Sequence, residues 1–215
     1  MSAIAAVVVA IVAVLAFAVD VGGGSAEADD AVHLRLVQEP LVSDLWTLPG
    51  RVSSDPPPAG TCTQPELIRR RRWFQAHGGL PTGQVVARVE VINDSDSTLL
   101  VEGLHLSSAE ELPPLQGNTY SLCPNGGGGP PEDQYARIDF DESPPRFEFF
   151  NELYQPVGAV DFSPSPHHPL RFWLFAYSES AHFRWRASLE YSLDGDIHWI
   201  PIPGGDGTFE IGNTA

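Results

Sequence analysis

The chain has 215 residues, 42% of them hydrophobic and 10% aromatic, which suits one domain of ordinary size plus an appendage and is short for two. Its 20 glycines and 20 prolines cut the sequence into short runs and argue against long helical bundles, coiled coils and a doubly wound nucleotide-binding fold. Against 28 acidic residues stand 12 basic ones, all arginine, and the net charge of -16 disfavours generic binding to nucleic-acid phosphates.

The first element is an unbroken apolar run over residues 3–19 (AIAAVVVAIVAVLAFAV). As a helix it would reach roughly 26 Å, close to the thickness of a bilayer's hydrocarbon core. It exceeds the roughly 7–15 residues of a cleaved signal's core, and Asp20, Glu27, Asp29 and Asp30 follow it around a Gly22-Gly23-Gly24-Ser25 linker. The expectation is a single-pass transmembrane anchor over residues 1–21, with the remainder extracytoplasmic at the cell membrane. Small-residue patterns at Ala16-Phe17-Ala18 and Ala26-Glu27-Ala28 keep open a cleaved signal and a secreted chain, and a buried core helix is a third reading.

Residues 22–60 read as a linker with one candidate strand, where Val32, Leu34 and Leu36 alternate before Pro40 interrupts. Residues 61–79 read as an arginine-rich capped helix. Thr63 stands at its cap, Pro65 and Glu66 in its first turn and Gly78-Gly79 at its end, with Leu67, Arg71 and Phe74 sharing one face.

From residue 80 to 215 the period changes from helical to two. Val85, Ala87, Val89 and Val91 alternate with Val86, Arg88, Glu90 and Ile92, the segment Asn93-Asp94-Ser95-Asp96-Ser97 turns the chain, and residues 98–106 return as a second strand. Further candidates are residues 120–123, 135–140, 146–150 and 159–162. Residues 170–177 are apolar almost throughout, as in a strand covered on both faces, whereas residues 183–193 alternate with Trp185 on the dry side. Asp194-Gly195 turns into residues 197–202, and residues 208–211 close the series. Eight or nine short strands with turn signals between them predict an all-β chain, an antiparallel two-sheet sandwich of immunoglobulin-like architecture with one short helix.

An N-terminal anchor, a Pro-rich linker, a Cys followed by a short helix ending in His-Gly-Gly (Cys62 to Gly79), VARVEVINDSDSTLLVEGL, PPLQG, a second Cys and FRWRASLEYSLDGD stand in this order. The chain resembles a group of single-pass, extracytoplasmic β-sandwich proteins of high-GC Gram-positive bacteria, and its lack of Lys suits a GC-rich genome. The resemblance implies topology and fold. It carries over no activity and no catalytic residue.

Cys62 and Cys123 lie 61 positions apart in a chain expected to face an oxidising compartment, where a disulfide is the natural outcome and two buried thiols the alternative. Arg69-Arg70-Arg71-Arg72 before Trp73-Phe74 offers dense guanidinium donors to an anionic lipid or wall polymer, although a run of four covers all sides of a helix and an acidic domain supplies internal partners. The histidines His33, His77, His105, His167, His168, His182 and His198 include no zinc-ligand spacing. Asp94 and Asp96 in one turn, with Asp139, Asp141 and Glu142 in another segment, are oxygen-rich enough to consider calcium but lack an EF-hand pattern.

Trp173 and Trp199 are candidates for stacking on a sugar ring, while most tryptophans of a sandwich are packing residues. No nucleophile elbow, phosphate loop or dinucleotide turn is present, so no catalytic, cofactor or metal residue is nominated. The expectation is an interaction or structural module, not an enzyme, whose partner is an envelope protein or wall component. A carbohydrate-binding module is the alternative, and an envelope hydrolase a more distant one.

Overall fold

A computed structural model of the chain describes residues 32–36, 45–50, 57–58, 62–123, 134–202 and 208–213. The apolar run at residues 3–19 lies outside the described residues, and among those described no helix is long and apolar enough to cross a membrane.

The described residues are mostly strand, in several sheets with one helix. Six strands form the largest sheet, in the order β1 (Val32–Leu36), β4 (Gln84–Asn93), β10 (Leu170–Tyr177), β7 (Tyr135–Asp139), β8 (Phe147–Phe150), β9 (Pro156–Val157). The second sheet is built around β11 (His182–Leu193). One edge of β11 pairs along its whole length with β5 (Leu99–Leu112), and the other pairs with β12 (Asp196–Pro201) and β13 (Phe209–Ile211). Two irregularities in the β5–β11 register, near Ala187 and Tyr191, bend this long ladder.

Alternation decides which side chains face inward. Val85, Ala87, Val89 and Val91 of β4, and Phe172, Leu174 and Ala176 of β10, share one buried core with Leu99 and Val101 of β5 and with Trp185, Leu189 and Tyr191 of β11. Aromatic contacts bridge the sheets: Trp185 of β11 lies 5.6 Å from Phe140, which follows β7, and 6.4 Å from Phe147 of β8. The turn at Asp194-Gly195 has both residues at positive φ, 54° and 92°, the two-residue geometry that joins β11 to β12.

Three features depart from the sequence reading, the last of them a third sheet where two were expected. First, β7 and β10 run parallel, whereas every pair was expected to be antiparallel. A parallel return needs a crossover of a dozen residues or more, and the stretch between these strands, holding β8, β9 and a turn of helix, is long enough. Second, residues 159–162, expected as a strand, form a 3-10 turn, η1 (Ala159–Phe162). The Gly158 N–H donates to the Asp161 carboxylate, and Ser163 Oγ donates to the Val160 carbonyl while accepting from the Val101 N–H. These bonds clamp η1 against β5 and drive Phe162 wholly into the core.

A third sheet, β3 (Leu80–Pro81), β2 (Leu45–Pro49), β6 (Gly117–Ser121), carries its own small core. Helix α1 (Gln64–Ala76) lays Phe74 against Trp46, 5.9 Å between ring centroids, and against Tyr120 at 5.7 Å. Thr47 Oγ1 lies 2.8 Å from Thr82 Oγ1 and 2.9 Å from Thr119 Oγ1, so the buried hydroxyls of Thr47 and Thr82 satisfy one another and Thr47 also meets an exposed one. Gly117 passes so close beneath the Leu48 carbonyl that any Cβ would overlap it. The Cys62–Cys123 disulfide, Cα atoms 5.4 Å apart, ties the start of α1 to the end of β6.

Closing a 61-residue separation by a covalent bond stabilises the folded chain by about 4 kcal/mol in the chain-entropy account. Replacing both cysteines by serine is therefore expected to lower the unfolding free energy by about that amount, measured by denaturant titration. Hydrogen exchange should rise first in α1 and β6. A variant as stable as the parent chain contradicts the staple's role.

Candidate functional site

The inward residues of the six-stranded sheet leave an outward set whose composition the core does not require. Because Phe172 and Leu174 point inward, Arg171, Trp173, Phe175 and Tyr177 of β10 point outward. The same alternation turns Arg88 and Glu90 of β4, Tyr135, Arg137 and Asp139 of β7, and Glu148 and Phe150 of β8 to that face. Strand register then lines up one row across five strands: Arg88, Trp173, Tyr135, Phe150, Pro156.

The rings in this row stand on edge. Tyr135 and Phe150 are 4.8 Å apart with planes 8° from parallel. That separation matches the ~4.8 Å spacing of neighbouring strands, so the two ring faces are turned to each other along the row and their edges meet solvent. Phe175, from the next row, meets Tyr135 edge-on at 5.5 Å. The Arg88 guanidinium lies 5.5 Å over the Trp173 ring, and that of Arg137 lies 5.3 Å over Tyr177. Each cation meets the negative face of a π system.

A turn overhangs one end of the row. Asn151 Oδ1 accepts from the Leu153 and Gln155 N–H groups, the Tyr154 N–H donates to the Asn151 carbonyl, and Tyr154 is held at φ 60°, a region that side-chain-bearing residues seldom occupy. This conformation sets the Tyr154 ring 5.9 Å from Tyr135. Leu153 beside it is 73% exposed.

The charges on this face are arranged around one buried carboxylate. The Glu90 side chain is 1% exposed and takes Arg35 on one oxygen and Arg171 on the other, at 2.8 Å for Arg171. Burial alone raises its pKa, but hydrogen bonds and charge from Arg35 and Arg171 outweigh that and hold the carboxyl below the usual range. Arg137 donates to Asp139 Oδ2 at 2.7 Å, and this bond raises the guanidinium's already high pKa. Burial likewise raises the phenol pKa of Tyr135 and of Tyr177, so both keep their protons. Gln84 Nε2 donates to the Tyr177 hydroxyl at 3.0 Å, which leaves that O–H group's own hydrogen to be given elsewhere.

Of the residues singled out in the sequence, Trp173 belongs to this row. Trp199 does not: it lies on β12 in the other sheet, 49% exposed, with the His105 ring 4.6 Å away and His105 Nε2 2.5 Å from Glu190. The two tryptophans thus point away from opposite faces of the molecule and share no ligand surface. The arginine run divides. Arg70 donates to the carbonyls of Ser121 and Leu122, Arg71 is buried, Arg69 lies 3.6 Å from Glu66, and Arg69 and Arg72 are exposed.

The acidic groups considered for calcium are apart. Asp94 and Asp96 stand at the β4 end of the sheet, 3.6 Å from His33 and 3.1 Å from His167 respectively, while Asp139 and Asp141 stand at the far end of β10. Asp141 is engaged by the Glu179 and Ser180 N–H groups and the Ser180 hydroxyl. Among the described residues no cluster of three or more His, Cys, Asp or Glu is placed to hold a metal ion.

Sequence reasoning missed Tyr135, Phe150, Tyr154, Phe175, Tyr177, Arg88 and Arg137. The signal available for part of this set is local: the outward positions of LRFWLFAY read Arg, Trp, Phe, Tyr, far too aromatic for a wetted face.

Replacing Glu90 by Gln leaves two guanidinium groups around a neutral amide, and is expected to destabilise the fold by about 1–3 kcal/mol at neutral pH. Because Glu90's pKa is lowered on folding, its contribution is full above ~4.3 and fades as pH falls through the lowered value. The gap between the two proteins, followed by denaturant titration from pH 7 down to 3, should therefore close in acid. A gap independent of pH contradicts the assignment.

Compared with protein-family models, curated proteins and solved structures, the chain matches none, so its function is to be argued from its own residues.

Proposed function

We propose that the chain is a non-catalytic binding module, anchored by residues 1–21 in the cell membrane, that presents the outward face of its six-stranded sheet to a ligand of the extracytoplasmic envelope. One observation carries this reading: an aromatic and arginine-bearing face that the core does not need, overhung by a turn holding Tyr154 at positive φ. Half-buried rings on an outward sheet face cost solubility and leave binding energy to be gained when a partner covers them.

The Cys62–Cys123 disulfide supports an oxidising compartment. The apolar run supports attachment to the membrane from which that compartment begins. The immunoglobulin-like description and the high-GC Gram-positive group remain part of this proposal. Two sheets around one core and one short helix support the former.

The test places a photoactivatable amino acid at Leu153 or at Ile197, the latter 61% exposed on the other sheet, in chains expressed in intact cells. Crosslinks to a defined envelope component from position 153 and not from 197 are the expected result. Capture from 197 alone would move the binding surface to the β12 face. Cleavage or chemical conversion of the captured component by the purified chain would make it an enzyme.

A further inference from the structure

His182, the first residue of β11, is buried, its side chain 7% exposed, and each of its ring nitrogens meets an oxygen. Nδ1 lies 3.0 Å from the Pro113 carbonyl, and Nε2 lies 2.7 Å from Glu210 Oε1. A peptide carbonyl only accepts, and so does an ionised carboxylate. A neutral imidazole has one N–H, so it satisfies one of these oxygens and turns a lone pair on the other. An imidazolium satisfies both.

The charges around the ring suit that form. Arg184, two residues along the same strand, lies 3.6 Å from Glu210 Oε2, so the carboxylate has a guanidinium on one oxygen and the ring on the other. A proton placed on the carboxyl instead of on Nε2 would give up that ion pair. On the neighbouring elements, Glu110 and Glu111 of β5, across from Arg184 and Phe183 in register, add negative charge. Glu179 and Asp141 add more at the connection into β11, where Asp141 accepts from the Glu179 and Ser180 N–H groups. Arg186, four residues along β11, adds a positive charge.

The segments that His182 ties together lie where the second sheet meets the third. Pro113 follows β5 and leads to Leu115, whose N–H donates to the Asn213 carbonyl. Beyond Glu210 and the end of β13, the Gly212 N–H donates to the Pro81 carbonyl, and the Gly212 carbonyl accepts from the Gly83 N–H. One ring therefore bridges both strands of backbone that run into this joint.

We propose that His182 is a proton-operated clasp: with a hydrogen on each ring nitrogen it bridges Pro113 and Glu210 and holds the joint between the second and third sheets closed, and loss of the Nε2 hydrogen to water lets that joint open. Without that hydrogen, a nitrogen lone pair faces a carboxylate oxygen in a site with little water to separate them. The folded arrangement is what holds the second proton, so the clasp contributes fully in acid and is lost as pH rises through the range in which the folded ring gives it up.

The test follows the ring nitrogens of His182 by NMR in the full chain while the pH is raised from about 5.5 to about 9. Both nitrogens are expected to carry hydrogen at the acid end, and Nε2 to lose its own on the way up. Over the same range the amides of Gly83, Leu115 and Gly212, corrected for the intrinsic pH dependence of exchange, should exchange about tenfold faster, the effect of one buried hydrogen bond. The amides of Val89 and Leu174 in the six-stranded sheet should not change. Glu210→Gln supplies an N–H that can turn toward the bared Nε2, so in this variant the three joint amides should stay protected in alkali.

A ring carrying one hydrogen at pH 5.5 in the folded chain, or still carrying two at pH 9, overturns the inference. So does exchange at the three amides that stays level while Nε2 loses its hydrogen, or that quickens in Glu210→Gln as much as in the parent chain. The ring and amide measurements on the unaltered chain decide the matter whether or not the variant folds.

Discussion

Strand β10 is apolar on both faces, and the fold covers only one of them with sheet. Its inward residues Phe172, Leu174 and Ala176 meet the second sheet in the common core, and its neighbours β4 and β7 are fixed to it by register. With a period of two, the outward residues are then dictated: Trp173, Phe175 and Tyr177 must stand on the opposite side, and strand spacing brings Tyr135 and Phe150 beside them. A one-residue slip of β10 would exchange the two sets and bury Arg171. The core and the candidate site are therefore two consequences of one register.

That face is held open and even by polar devices instead of by burial. Glu90, nearly inaccessible itself, stands between two arginines and offsets one of their two positive charges, which lessens their repulsion across β1, β4 and β10. Arg137 is anchored to Asp139 and lies over Tyr177, so its charge is fixed in place before any ligand arrives. At the other end of the molecule the disulfide and the Trp46–Phe74 contact build a smaller core around α1. There Arg70 donates to the carbonyls of Ser121 and Leu122 and Arg71 is buried, so two of the four arginines in the run serve the fold.

Much of the fold was legible because it is written in local periodicity. Residues 170–177 are a strand with the expected bounds, residues 84–93 and 183–193 alternate as read, the arginine-rich segment is a helix, and Cys62 is joined to Cys123. What was not legible depends on distant partners. Leu45–Pro49 is a strand only because β3 and β6 pair with it, and residues 159–162 are a 3-10 turn because Asp161 and Ser163 make bonds that no periodicity encodes.

The parallel pairing of β7 with β10 joins segments more than thirty positions apart, beyond any turn signal. The site shares that difficulty. Its row takes one residue from each of five strands, of which Trp173 alone is conspicuous by residue type, and the sheets carry Trp173 and Trp199 to opposite sides.

The central claim is that this face is covered in the protein's native setting. Hydroxyl-radical footprinting of aromatic side chains, in intact cells and on the purified chain, measures that directly. The account predicts that Tyr154, Trp173 and Tyr135 are modified in the purified chain and protected in cells, with Trp199 modified equally in both. Equal modification of Tyr154 and Trp173 in the two settings, or protection confined to Trp199, would contradict it.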